Sequence, residues 1–182
     1  MSLFTGRGDN GTTTNFHCDQ RFTKGSHVAE ALGTVDELNS LLGIVKVKSG
    51  EFEIFGRKFA DYLAEVQQNL FIVQAELAGA DKHLVKEKID AMSDLINRIE
   101  NEMPPIKSFF VSGGTELGAT FDFARTVARR AERRVVTVYD AQSAPVSKET
   151  LAYLNRLSSM LYAFARLSNH LSGIKEESPN YK

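Results

Sequence analysis

A chain of 182 residues, 42% hydrophobic and 25% charged, is long enough to bury one full core without staples, so a single compact domain is expected. Lys and Arg number 22 against 23 Asp and Glu, a net charge of −1, which leaves no basic footprint for wrapping nucleic acid. Cys18 is the one cysteine, which excludes an internal disulfide and a cysteine-rich metal site, and no signal-peptide pattern or bilayer-length apolar run is present; the sequence predicts a cytoplasmic protein with no membrane partner.

Residues 1–25 are rich in glycine, threonine and asparagine and lack apolar periodicity, which predicts a loop. Gly6-Arg-Gly-Asp-Asn-Gly11 matches G-x-G-x-x-G in letters, but no strand precedes it and no βαβ unit surrounds it, so the dinucleotide reading fails. A more general property survives. Glycines that let backbone N–H groups point into one concavity, followed by Thr12, Thr13 and Lys24, can cradle phosphate oxygens.

From about Ser26 the pattern is helical. Ala29, Leu32, Val35, Leu38, Leu42 and Val45 mark a first helix that fades at Lys48-Ser-Gly50. Phe59, Leu63, Val66, Leu70, Val73 and Leu77 mark a second, ending near Gly79. Val85, Ile89, Met92, Ile96 and Ile99 mark a third, closed by Met103-Pro-Pro105, because two prolines cannot continue a helix. Phe109-Phe-Val111 is a short apolar run, and Ser112-Gly-Gly114 breaks the chain. A fourth helix spans about Thr115 to Asp140. After the loop Ala141–Pro145, Ser147 and Thr150 open a fifth, which carries Leu151, Leu154, Leu157, Leu161, Phe164 and Leu171. The expected fold is all-α: a five-helix up-and-down bundle over residues 26–174, preceded by an N-terminal phosphate-binding loop (1–25) and followed by a polar C-terminal tail (175–182).

The fourth helix carries two patterns. Phe121, Ala124, Ala128, Ala131 and Val135 form one stripe for burial, while Arg125, Arg129 and Glu132 follow the same period on the neighbouring face. Two guanidinium groups one turn apart beside a helix-packing stripe can hold a polyanion at a crevice between helices. Such arginine runs are also common on solvated faces. Glu30, Asp36 and Asn39 on the first helix, the interrupting Gly33, and Asn155 with Arg156 on the last helix are the other polar features inside apolar patterns. Bundle di-iron chemistry is improbable, because none of His17, His27, His83 and His170 stands three residues after a glutamate.

Four segments together resemble the PduO-type ATP:cob(I)alamin adenosyltransferases: Thr5-Gly-Arg-Gly-Asp-Asn-Gly-Thr-Thr13 with Lys24, Gly33-Thr-Val-Asp-Glu-Leu-Asn-Ser40, Ala124-Arg-Thr-Val-Ala-Arg-Arg-Ala-Glu-Arg-Arg134, and Tyr153-Leu-Asn-Arg-Leu-Ser158. The resemblance implies a homotrimer with ATP and Mg²⁺ held between subunits and a corrinoid, cob(I)alamin, seated beside them. It implies that Thr5, Gly8, Asp9, Gly11, Thr12 and Lys24 wrap the triphosphate. It places Arg125 and Arg129 in or beside the nucleotide site, has Glu132 and Asn155 complete that site, and pairs Asp36 with Arg125 across a subunit boundary. Phe109 matches the aromatic that shields the lower face of cobalt. The implied activity is transfer of the 5′-deoxyadenosyl group of ATP to cobalt, with a cobalamin reductase or an adenosylcobalamin-dependent enzyme as partner. The chain departs from the family pattern at Asn10, Phe16–Gln20, His27-Val28 and Ser112. These changes cluster in the ATP loop, so the alternative is a non-catalytic nucleotide-sensing or corrinoid-carrying bundle.

Overall fold

The computed structural model describes residues 4–14 and 21–182. Phe16–Gln20, with His17 and Cys18, lie outside the described residues. Five helices dominate: α1 (His27–Lys48), α2 (Phe59–Leu77), α3 (Lys86–Asn101), α4 (Glu116–Asp140) and α5 (Lys148–Leu171).

The helix starts are set by side-chain caps. Ser26 accepts from the Ala29 N–H, Thr115 from Gly118 and Ser147 from Thr150, each hydroxyl satisfying a donor that the first turn leaves without a partner. The ends of α2 and α5 are Schellman motifs on Gly79 (φ 87°) and Gly173 (φ 71°): Ala80 N–H donates to Ala75 O and Ile174 N–H to Asn169 O, both at 2.9 Å. Only a residue at ease with positive φ closes such a turn.

The principal helix contacts run α2–α1–α4–α5–α3, and side chains of α2 and α5 meet to close the core. The ring of Phe59 lies 4.7 Å from that of Phe164, edge-on, and Phe121 stacks on Phe164 at 5.4 Å; all three are fully buried. Phe121, Ala124, Ala128, Ala131 and Val135 are each fully buried, as the stripe on α4 requires. Small alanines there allow close helix packing, and α4 is tied to α1 by Arg134–Glu30 at 3.3 Å and by the Arg130–Glu37 pair. Glu76 on α2, itself buried, accepts from the Ser147 N–H at 2.8 Å, from the Thr150 hydroxyl and from His83, tying α2 to the start of α5.

Two short hairpins depart from the purely helical expectation. β1 (Thr12–Thr14) pairs antiparallel with β2 (Arg21–Thr23), inside the stretch read as loop. β3 (Glu53–Ile54) pairs with β4 (Arg57–Lys58) around Phe55 and Gly56, both at positive φ as a type I′ turn demands. Neither buries enough surface to write an alternating pattern in the sequence. No helix among the described residues is long and apolar enough to cross a membrane.

Candidate functional site

Arg125 and Arg129 lie one turn apart on α4 and reach the same cavity of about 620 Å³. Its other walls are α5, through Ser158, Ser159, Tyr162, Ala165, Arg166 and Asn169, and the segment 106–112. That volume is within the usual range for small-molecule sites.

The two arginines differ. Arg125 is partly buried, its Nε donating to Asp122 Oδ1 at 3.3 Å and its guanidinium lying 5.8 Å from the centre of the Tyr162 ring. Burial raises the Tyr162 pKa, so this phenol stays neutral beside the cation. Arg129 is exposed and, among the described residues, no carboxylate pairs with it. Its neighbours Arg130 and Arg134 are both committed to α1 carboxylates. Arg129 is therefore a cation on the cavity wall that can accept an anionic ligand without breaking a bond in the protein.

Phe109 is 80% exposed and lines the same cavity. Ordinary core packing does not explain it. The following turn is pinned by Asn169, whose Oδ1 accepts from Thr115 N–H (2.9 Å) and the Thr115 hydroxyl (3.0 Å), and whose Nδ2 donates to Gly113 O (2.8 Å). Gly114 (φ 99°) lies so close that a Cβ there would stand 2.7 Å from Asn169 Oδ1.

Glu132 and Asn155 meet directly: Asn155 Nδ2 donates to Glu132 Oε1 at 2.8 Å, joining α5 to α4. Neither lines the cavity.

The N-terminal hairpin gathers a second group. Gly8 is packed so closely on Lys24 that a Cβ would lie 3.0 Å from Nζ, and the Lys24 N–H donates to Gly11 O at 2.9 Å. Asn10 Oδ1 accepts from the Thr12 hydroxyl at 2.6 Å and from the Thr12 N–H at 3.2 Å, an Asx-type turn. Arg21 Nε donates to Thr12 Oγ1 at 2.7 Å and its NH2 to Thr12 O at 2.9 Å. Thr5 Oγ1 accepts from Arg7 N–H at 3.4 Å, and the Asp9 N–H donates to Gly6 O at 3.1 Å. Gly8, Gly11, Thr12 and Lys24 are thus brought together, but no residue of this hairpin lines the α4–α5 cavity.

Asp36 stands exposed on α1 with no ion pair among the described residues; within the chain, Arg125 is held by Asp122. Gly33, one turn earlier, faces open space. Glu30 is taken up by Arg134, and Asn39 is buried with its backbone carbonyl accepting from Gln67 Nε2 at 3.0 Å.

Sequence reasoning missed Tyr162, Arg166, Asn169 and Glu176 in the cavity and Arg21 in the hairpin. One signal was available: Arg166 interrupts the apolar run Phe164-Ala-Arg-Leu167, and a charge at a buried helix position needs a specific partner.

Three comparisons bear on this arrangement. The family model described as cobalamin adenosyltransferase matches residues 3–168. A corrinoid adenosyltransferase PduO of Salmonella typhimurium is 36% identical over 173 residues, covering 91% of this chain, and one of Bacillus subtilis is 36% identical, covering 96% of this chain and 90% of its own length. The chain spans about half the length of the PduO proteins that it matches, 49% for the Salmonella protein. Among solved structures, a single-residue variant of the PduO-type ATP:corrinoid adenosyltransferase from Lactobacillus reuteri, complexed with cobalamin and ATP, superposes with a TM-score of 0.87 at 29% identity, covering 99% of this chain and 97% of that one.

Proposed function

Because this chain belongs to the cobalamin adenosyltransferase family, we propose that it is a corrinoid adenosyltransferase that moves the 5′-deoxyadenosyl group of ATP onto the cobalt of cob(I)alamin. The observation that carries this reading is that one cavity is lined both by Arg129, a guanidinium with no carboxylate partner among the described residues, and by an exposed aromatic, Phe109. One serves a polyphosphate and the other a large flat apolar face.

The reaction asks little acid–base chemistry of the protein. The electron pair of Co(I) forms the Co–C bond at C5′, the C5′–O bond breaks, and triphosphate leaves with that bond's electrons. The protein's task is to hold and neutralise the leaving group. Arg129, with Arg125 behind it, supplies positive charge where negative charge grows. Glu132 and Asn155, already bonded to each other, complete the nucleotide side. Phe109 excludes water and a lower ligand from cobalt, which favours the four-coordinate state from which Co(I) is made.

Thr5, Gly8, Asp9, Gly11, Thr12 and Lys24 form the phosphate loop in this reading. Gly8 leaves room for the Lys24 ammonium, which supplies the loop's positive charge toward the triphosphate. Arg21 adds a further cation that holds Thr12 in place. Asn10, one of the departures from the family pattern, organises Thr12 and so supports the loop.

Magnesium fits as a passenger of the nucleotide. No three His, Cys, Asp or Glu side chains converge among the described residues, whereas Mg²⁺ in such sites keeps water and takes oxygens from the phosphates.

The loop and the arginine cavity stand apart in one chain, and a neighbouring subunit brings them together in the homotrimer we propose. The outward face of α1, where Gly33 is open, Asp36 has no ion pair among the described residues, and Ile44 and Val47 are 52% and 80% exposed, is the surface assigned to that neighbour. There Asp36 meets Arg125 of the next subunit. The soluble partner is a cobalamin reductase or an adenosylcobalamin-dependent enzyme. Anaerobic mixing with cob(I)alamin and MgATP, followed by absorbance, tests the activity: adenosylcobalamin appears if the reading holds, and the Co(I) spectrum persists if it fails.

A further inference from the structure

The segment after α5 is more than a polar tail. The Schellman turn at Gly173 sends the chain back along the segment 104–112, and three consecutive residues tie it down. Glu176 receives Arg166 Nε at 3.2 and 3.0 Å and Arg166 NH2 at 3.0 Å. The Glu177 carbonyl accepts the Val111 N–H at 2.8 Å, and the Ser178 and Ser108 hydroxyls lie 2.7 Å apart.

Arg166 is the centre of this arrangement. It is 5% exposed, sits on α5, donates to Pro104 O at 3.2 Å, and lies 5.1 Å from the centre of the Phe110 ring. One guanidinium thus grips the start of the 104–112 segment, the residue next to Phe109, and the returning tail. Otherwise that segment is poorly held. Among the described residues, Val111 N–H is its one backbone donor with a backbone acceptor, and that acceptor belongs to the tail. A stretch with so few backbone bonds belongs to the low-stability end of a fold unless side chains fix it.

We infer that Arg166 is a positioning residue, and that its ion pair with Glu176 straps the C-terminal segment over 104–112 so that Phe109 is held at one place on the cavity wall. The inference rests on the reading of Phe109 as the corrinoid-facing group. The apolar core of the bundle contains no residue of the strap. Glu176 follows the last helix, while the core residues of α5 pack on α2 and α4 without it. A strap that contributes little to the core but fixes an 80% exposed aromatic acts on function through placement.

The test uses the full chain with Glu176→Ala, which keeps every core side chain but takes the carboxylate from the buried Arg166, so calorimetry controls for global stability, and Glu176→Gln as the conservative partner. Two readouts are independent of turnover: amide hydrogen exchange at Val111, and the electron paramagnetic resonance of cob(II)alamin bound with MgATP, which separates four-coordinate from five-coordinate cobalt. Glu176→Ala is expected to speed Val111 exchange, lower the four-coordinate fraction, and reduce kcat by about tenfold or more while KM for ATP moves by less than about twofold. Glu176→Gln recovers part of each effect, since an amide still accepts from Arg166. Unchanged Val111 exchange in Glu176→Ala overturns the strap, and faster exchange with unchanged kcat and cobalt signal overturns the positioning role. Phe109→Ala separates this failure from that of the underlying reading: normal turnover there rejects Phe109 as the corrinoid-facing group, and the inference with it.

Discussion

Asn155 and Glu132 face each other across the α4–α5 interface, with Asn155 Nδ2 donating to Glu132 Oε1 at 2.8 Å. The bond holds a carboxylate one turn from Arg129 without neutralising it, so the α4 face keeps both an acceptor and an uncommitted cation for one ligand. Asn155→Ala leaves Glu132 free to swing toward Arg129. The expected result is a higher KM for ATP with little change in melting temperature, because both side chains are solvent-accessible at the α4–α5 edge; steady-state kinetics with calorimetry read both. An unaltered KM would remove the pair from the nucleotide site.

Arg125→Ala acts differently from a change at Arg129. It strands Asp122, which is 9% exposed, and takes a cation from beside Tyr162. Leaving a largely buried carboxylate without its charged partner costs about 1–3 kcal/mol, or a fall of roughly 2–4 °C in melting temperature per kcal/mol for a chain of this size. Calorimetry measures it. If Asp36 meets this arginine from the next subunit, Arg125→Ala and Asp36→Ala each weaken the trimer, and sedimentation shows smaller species; two intact trimers would contradict the pairing.

Gly118 sits under Asn169, where an added Cβ would overlap Asn169 Oδ1. That oxygen is held by both Thr115 donors and cannot retreat freely. Gly118→Ala should destabilise the chain by about 1–3 kcal/mol as an overpacked helix contact. Asn169→Ala relieves the clash but frees the Thr115 N–H and Gly113 carbonyl, so the double variant is non-additive in a thermal-melt cycle.

The His83–Glu76 contact makes stability depend on pH. The hydrogen bond to buried Glu76 is the main cause that raises the His83 pKa above its ordinary 6.5, with Asp81 adding to it. A raised folded-state pKa means the protonated ring stabilises the native chain fully below about pH 6.5 and loses that contribution as pH rises through the shifted value. His83→Gln should therefore flatten the fall in melting temperature from about pH 6.5 upward. Parallel wild-type and variant profiles would reject the coupling.

Much of the fold was legible because each helix carries its own boundaries. Ser26, Thr115 and Ser147 cap the starts as residue type predicts, Gly79 closes α2 through positive φ, and the alanine stripe of α4 is buried throughout. The hairpins were not legible, since Thr12–Thr14 and Arg21–Thr23 bury too little to alternate. Arg125, Arg129 and Phe109 could be named from helix period and family spacing. Arg166, Asn169 and Glu176 could not, because their roles arise only where the end of α5, the 104–115 segment and the tail meet. Sequence separations such as the 54 residues between Thr115 and Asn169 carry no local signal.

The most direct measurement compares wild type with Arg129→Ala in anaerobic adenosylation of cob(I)alamin by MgATP, with circular dichroism as a control for folding. Arg129 makes no ion pair among the described residues, so the variant should fold normally while losing a charge-assisted contact worth about 1.5–3 kcal/mol, roughly ten- to a hundredfold in kcat/KM or more. Near-normal turnover by the folded variant, or no adenosylcobalamin from wild type, would contradict the account.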